Sequence, residues 1–267
     1  MLPLMLIVNK LFGSNVRHVL GIIKRDMKSW FIWSQVCFVL FYVPLCWAVN
    51  YLPGWLISAT WQLTIIFGVL TTPLVRVKTQ QSGYVRLKIP TKAIPWMVII
   101  LVGVFLTVAS YITHLKHIAP LLFAIIAIML AAVAYPLGNR QIMATTDGTV
   151  TASEKVLAML ICSYPTWLII ATLSYTQVGL PSAPQLLNTF IVALCSGVIA
   201  TVLFFGATQL AVHDMKSLAA VEATQAMEVI FSVLLSLLFL GHALPTPAQL
   251  AGLCLMVFGI IMLSIRE

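Results

Sequence analysis

Acidic residues are scarce in this chain. Seven Asp and Glu stand among 267 residues, against fifteen Lys and Arg; charged residues reach only 8% where hydrophobic ones reach 61%. Soluble domains carry about a quarter charged residues, so a soluble globular fold is excluded and a polytopic membrane protein is expected. Cysteine is scarce too. Cys37, Cys46, Cys162, Cys195 and Cys254 each fall inside an apolar run with no paired spacing. That argues against a disulfide framework or a zinc site and leaves them as small packing residues. No phosphate-cradling glycine loop and no nucleophile motif is present. A membrane enzyme would cluster His, Asp or Ser near one membrane face, and no such cluster occurs. His114 and His117 stand three apart, but two ligands do not make a metal site. Neither an enzyme nor a cofactor is expected.

The formal net charge of +8 would suit a nucleic-acid partner, but its placement argues against one. The Lys and Arg lie between apolar segments, where they orient a membrane protein. Eight full spans are expected: Trp30–Asn50, Gly54–Val75, Ile94–Ile112, Ile118–Leu137, Val156–Thr176, Leu187–Val212, Ser217–Leu240 and Pro247–Ile265. The chain is therefore read as all-α. With these spans, fourteen of the fifteen basic residues fall on one side and only Lys116 lies opposite. The positive-inside rule makes the basic side, and with it the C-terminus, cytoplasmic.

The stretch Met215–Leu240 organises the chain. It is long and apolar enough to cross a bilayer, yet it carries Glu222 and Glu228 with Gln225 midway between them. A carboxylate at bilayer depth costs about 2.5–3.5 kcal/mol on insertion scales, so it persists only with a partner or a job. At about 1.5 Å per residue, Glu228 lies ~18 Å from Lys216, near the middle of a ~30 Å core. No Lys or Arg lies well inside any span to pair with it. A buried acid without a counter-ion is held neutral by desolvation, and an arriving cation would favour its charged form and release the proton. That is the physical basis of proton/cation exchange. The bland alternative for Glu228 is a permanently protonated carboxyl bonded to a neighbouring helix. For Glu222 it is a carboxylate reaching cytoplasmic water.

The helix Gly54–Val75 offers aromatic and amide groups instead. Trp61 and Gln62 lie ~12 Å from its outer end. With Tyr42, Trp47 and Tyr51 from the preceding helix, Trp61 could present π faces to an organic cation. Asn50, at the turn between the two helices, joins the candidate set. Trp30, Trp55 and Trp96 are assigned to the interfacial aromatic belt. Arg140 and Lys155 are read as flanking a polar loop, with Glu154 beside it.

The chain also repeats itself. Laid over its second half, Trp30–Val75 falls on Ala193–Leu238, so that Gln62 meets Gln225; after a slightly shorter shift, Gly103 meets Gly259. The turn Asn50–Pro53 lies outside and its counterpart His213–Lys216 inside, so the copies are inverted, as in many transporters. The expected organisation is a first repeat at residues 1–112 and a second, of five spans, at 118–265. The first repeat shows three spans and an apolar stump, Met1–Val8. It is expected to lack its first helix and most of its second, with coding sequence continuing upstream or the copy degraded.

The runs Trp30–Trp33 (WFIW), Phe41–Ala48 (FYVPLCWA), Pro53–Gln62 (PGWLISATWQ) and Val221–Val229 (VEATQAMEV) resemble the multidrug-resistance efflux transporters of the drug/metabolite transporter superfamily. The resemblance covers the whole chain. It implies two inverted five-helix halves, a bacterial inner (cell) membrane location, and proton-coupled efflux of organic cations or multiple drugs. The partners are then the bilayer and a lipophilic cation, with homo-oligomerisation left open. Two other readings stand: an exporter of amino acids or other neutral or zwitterionic metabolites, and a non-transporting or degraded membrane protein.

Overall fold

The structure is a computed structural model that describes residues 1–79, 83–86, 89–112, 118–146, 150–211, 221, 224–241 and 244–266. Helices dominate it. In chain order they are α1 (Leu2–Leu11), α2 (Val16–Arg25), α3 (Met27–Ser34), α4 (Leu40–Ala48), α5 (Gly54–Trp61), α6 (Leu63–Thr71), α7 (Ile94–Ile112), α8 (Ala119–Thr145), α9 (Ala152–Val178), α10 (Ala183–Val192), α11 (Thr201–Ala211), α12 (Gln225–Leu240) and α13 (Pro247–Arg266). Among the described residues, seven helical segments are long and apolar enough to cross a membrane. The expected eighth span, Ser217–Leu240, is described only in part, mainly as α12. The chain is a polytopic membrane protein.

Two spans contain widened, π-helical turns, at Gln35–Val39 between α3 and α4 and at Ala193–Ala200 between α10 and α11. In the second, the Thr201 hydroxyl donates to the Ser196 carbonyl five residues back, at 2.9 Å. The alignment that sets Trp30 on Ala193 carries Gln35–Val39 onto positions 198–202, which overlap the second widened turn.

The chain divides into two compact units, and each takes segments from both halves of the sequence. The first comprises Met1–Val39 and Gly138–Leu210. Its basic stretch Lys10–Ser29, between apolar segments, contains the helix α2. Asn15 caps that helix, accepting from the Arg17 N–H at 2.9 Å. Val19, Ile22 and Ile23 are buried on one face while Arg17, Lys24 and Arg25 stay exposed on the rest. The underlying helix is α9. It opens with a capping box in which Thr151 and Glu154 satisfy each other's backbone N–H groups.

Glu154 and Lys155, expected beside a polar loop, stand in the first turn of α9, and both are buried there. Trp30 and Trp55, assigned to the interfacial belt, are instead covered by protein. Each is at least 94% buried in protein, Trp30 in the first unit and Trp55 in the second against Tyr111. Trp96 is half-buried and meets Phe258 edge-on.

The second unit comprises Leu40–Leu137 and Ala211–Glu267. Its core gathers Ala59, Leu63, Ile66, Met97, Ile100, Val229, Met256 and Ile260 from α5, α6, α7, α12 and α13. The α5–α6 span is the most enclosed of the seven: 72% of its most apolar stretch is buried, against at most 39% in the others. The helices α7 and α13 pack antiparallel and close. A Cβ on Gly103 would fall 2.7 Å from Met256 Cγ, and one on Gly259 would fall 2.8 Å from Ile100 Cγ1. The alignment of Gly103 with Gly259 exchanges these two contacts. The basic segment between α6 and α7 carries a short antiparallel hairpin of β1 (Arg76–Thr79) and β2 (Gly83–Arg86).

Candidate functional site

The long apolar segment Gly54–Thr71 would make one continuous helix by composition, yet it breaks at Gln62. Neither proline nor glycine stands there. The Gln62 backbone N–H donates to the Ala59 carbonyl at 3.3 Å, three residues back instead of four, and Ile65 does the same onto Gln62 at 3.1 Å. The Gln62 side chain completes the junction, its Nε2 donating to the Ser58 carbonyl at 3.3 Å. Its Oε1 is buried and has no hydrogen-bond partner among the described residues. Leaving a buried acceptor unmet costs about 1–3 kcal/mol unless a water or a ligand supplies the donor.

A matching junction precedes α12. The Thr224 N–H donates to the Val221 carbonyl at 3.2 Å and the Met227 N–H to the Thr224 carbonyl at 3.1 Å. Gln62 and Thr224 share nearly the same backbone angles, φ −60° and ψ −15° against φ −61° and ψ −22°. The sequence pairs Gln62 with Gln225; the tight turn in the structure falls one residue earlier.

Beside Gln62 stands a wall of aromatic rings. Trp61 ends α5, and its ring centroid lies 5.0 Å from Phe41 on α4 and 5.8 Å from Tyr135 on α8. Phe41 and Tyr135 are themselves 5.0 Å apart, and Tyr42 meets Phe41 edge-on at 5.9 Å. The rings of Phe41, Trp61 and Tyr135 support one another, and all three are half-buried, so each keeps an open edge or face. Of the residues selected from sequence, Trp61 and Tyr42 both meet Phe41, and Gln62 follows Trp61 in the chain. Phe41 and Tyr135 were missed as site residues. The signal available for Tyr135 was a lone aromatic in the alanine-rich run Ala131–Tyr135, ahead of Pro136.

Trp47 and Asn50 take a different place. Trp47 stacks on Tyr51 at 4.8 Å, and Asn50 Nδ2 donates to the Trp47 carbonyl at 3.0 Å, so both serve the end of α4. Glu228 lies in the first turn of α12. Its helix neighbours Ala226 and Val229 enter the core of the second unit, while Glu228 itself stays exposed on another face. It makes no hydrogen bond or ion pair with any described residue. Glu222 and the side chain of Gln225 lie outside what the structure describes. No group of three or more His, Cys, Asp or Glu able to hold a metal occurs among the described residues.

The arrangement offers a wall of π faces, one unmet amide oxygen and an exposed carboxylate at the start of a helix in the same unit. These are acceptors and π surfaces, chemically matched to a donor-bearing or positively charged organic molecule.

Comparison with known proteins bears on what the arrangement serves. The family described as "EmrE: Putative multidrug resistance efflux transporter" matches residues 1–267. The "Uncharacterized protein YjlA" of Bacillus subtilis (strain 168) is 40% identical over 265 residues, which are 98% of this chain and 81% of that protein. The "Uncharacterized 42.1 kDa protein in intracellular alkaline protease 3'region" of Shouchella clausii is 40% identical over 186 residues, 70% of this chain and 48% of its own length. No solved structure matches.

Proposed function

With the chain a member of the EmrE family of multidrug resistance efflux transporters, we propose that it exports lipophilic organic cations in exchange for protons, with Glu228 as the exchanging acid. The observation that carries this reading is an acid on an apolar membrane helix without a basic partner among the described residues. An acid so placed can hold a proton or a cation, one at a time. The wall of Phe41, Trp61 and Tyr135 and the unmet Oε1 of Gln62 supply the substrate's apolar and donor-accepting contacts. Tyr42 lines the same wall. Glu222 and Gln225 are assigned to the approach from the cytoplasmic end of their helix, and Trp47 and Asn50 to its outer end.

We further propose two inverted repeats, at residues 1–112 and 118–265. Three observations support them: the exchanged contacts of Gly103 and Gly259, the two widened turns at overlapping positions of the repeat, and the tight turns at Gln62 and Thr224. Inversion places related helices antiparallel, as α7 and α13 are, and brings both tight turns toward the membrane midplane. The excess of basic residues on one side puts the C-terminus in the cytoplasm of a bacterial cell.

The test is transport by the full chain in proteoliposomes, with a panel of lipophilic cations and amino acids, with and without a pH gradient. Cation movement that follows the gradient supports the reading. Movement of amino acids without cations would move the chain to the metabolite exporters, and movement of neither would leave it a non-transporting membrane protein.

A further inference from the structure

The helix α2 is not accounted for by transport. It joins the short apolar helix α1 to the membrane span that begins with α3, with only a short turn at each end. That connection holds it at the membrane surface. Its inner face, Val19, Ile22 and Ile23, is already spent on protein packing. What remains is a cationic outer surface bracketed by bare apolar side chains. Lys10, Arg17, Lys24, Arg25 and Lys28 are all exposed. At its two ends Leu11 is 80% exposed, Phe12 74% and Met27 66%. The acid in this stretch, Asp26, already accepts the Ser29 N–H at 3.2 Å.

We propose that α2 and its flanks form a docking surface for anionic phospholipid headgroups in the leaflet on the basic side of the membrane. Leu11, Phe12 and Met27 enter the acyl region at either end of the helix, and Arg17, Lys24 and Arg25 engage lipid phosphates between them. A soluble acidic partner would satisfy the charges but not the large apolar side chains at both ends. A bilayer satisfies both at once. His18 also lies on the exposed part of the helix, its side chain 57% exposed, with Nδ1 held by Glu154 at 2.9 Å.

The test uses the full chain reconstituted in phosphatidylcholine vesicles with spin-labelled phosphatidylglycerol or spin-labelled phosphatidylcholine as probe. The motionally restricted fraction gives the relative association of each. The parent is expected to prefer phosphatidylglycerol, and molar salt should remove the preference by screening. The triple variant R17Q/K24Q/R25Q should lose it, while the charge-keeping variant R17K/K24R/R25K retains it. The variant R76Q/R86Q, which removes charge from the hairpin of the second unit, should also retain it. No preference in the parent would overturn the proposal. So would an unchanged preference in the triple variant, equal loss in the hairpin variant, or loss in the charge-keeping variant, which would point to structural damage. The readout is lipid association, so this result and the result on proton coupling stand or fall separately.

Discussion

Gly103 and Gly252 meet backbone to backbone where α7 crosses α13: a Cβ built on either would lie 2.7 Å from the other's carbonyl oxygen. No side chain can be accommodated there without separating the two helices. Gly103→Ala should therefore destabilise the protein by about 1–3 kcal/mol, the usual cost of overpacking. Gly206→Ala makes the control, since a Cβ at that helical position meets nothing within 4 Å. It should be neutral or slightly stabilising. Thermal unfolding of the two variants in detergent checks the pair.

Glu154 ties three segments together. Its carboxylate accepts from the Thr151 backbone N–H at 2.9 Å, the Thr151 hydroxyl at 3.0 Å and the Ser14 hydroxyl at 2.6 Å, with His18 at 2.9 Å. Glu154→Ala removes the charged acceptor from these part-buried donors and should cost about 1–3 kcal/mol. Glu154→Gln keeps an acceptor and should cost less. Limited proteolysis should find α2 released in the alanine variant before the rest of the chain unfolds.

Gln62 separates stability from function. Gln62→Met keeps the length of the side chain and removes the unmet oxygen, at the loss of one long hydrogen bond to Ser58. Stability should stay within about 1 kcal/mol of the parent, whereas transport of donor-bearing cations should fall. A large loss of stability with transport per folded molecule unchanged would make Gln62 a structural residue only.

Trp61 should respond by degree. Trp61→Phe preserves a ring against Phe41 and Tyr135 and should weaken substrate affinity modestly, by the difference between indole and phenyl π faces. Trp61→Ala removes the middle of the wall and should raise the apparent KM for aromatic cations more than for compact ones. Transport kinetics across a size series of cations measures this.

Much of the architecture was legible in the sequence because membranes read hydrophobicity and charge, both of which are linear properties. The spans starting near Gly54, Ile94 and Pro247 follow from unbroken apolar runs. Irregularities inside helices were not legible. The break at Gln62 uses no proline or glycine, so residue propensities are silent about it. The contact of His18 with Glu154 joins positions in opposite halves of the chain and leaves no local mark. Trp30 and Trp55 show why a belt assignment fails: an aromatic near a helix end looks the same whether lipid or protein covers it. Phe41 and Tyr135 entered the site through the packing of α4 and α8 on α5, which no periodicity announces.

Topology can be checked without any substrate. A reporter fused after Glu267 should read cytoplasmic and one inserted in Pro181–Pro184 external. Both on one side would refute the inverted repeats, because an odd number of spans must separate the two points.

The central claim is that Glu228 exchanges a proton for a cation. Glu228→Gln keeps the shape of the protonated acid and cannot release a proton. The decisive measurement is accumulation of a lipophilic cation in proteoliposomes under an imposed pH gradient, parent against Glu228→Gln, with insertion and thermal stability matched. The account predicts gradient-driven accumulation in the parent and none above the gradient-free baseline in the variant. Accumulation by the variant equal to that of the parent would contradict it.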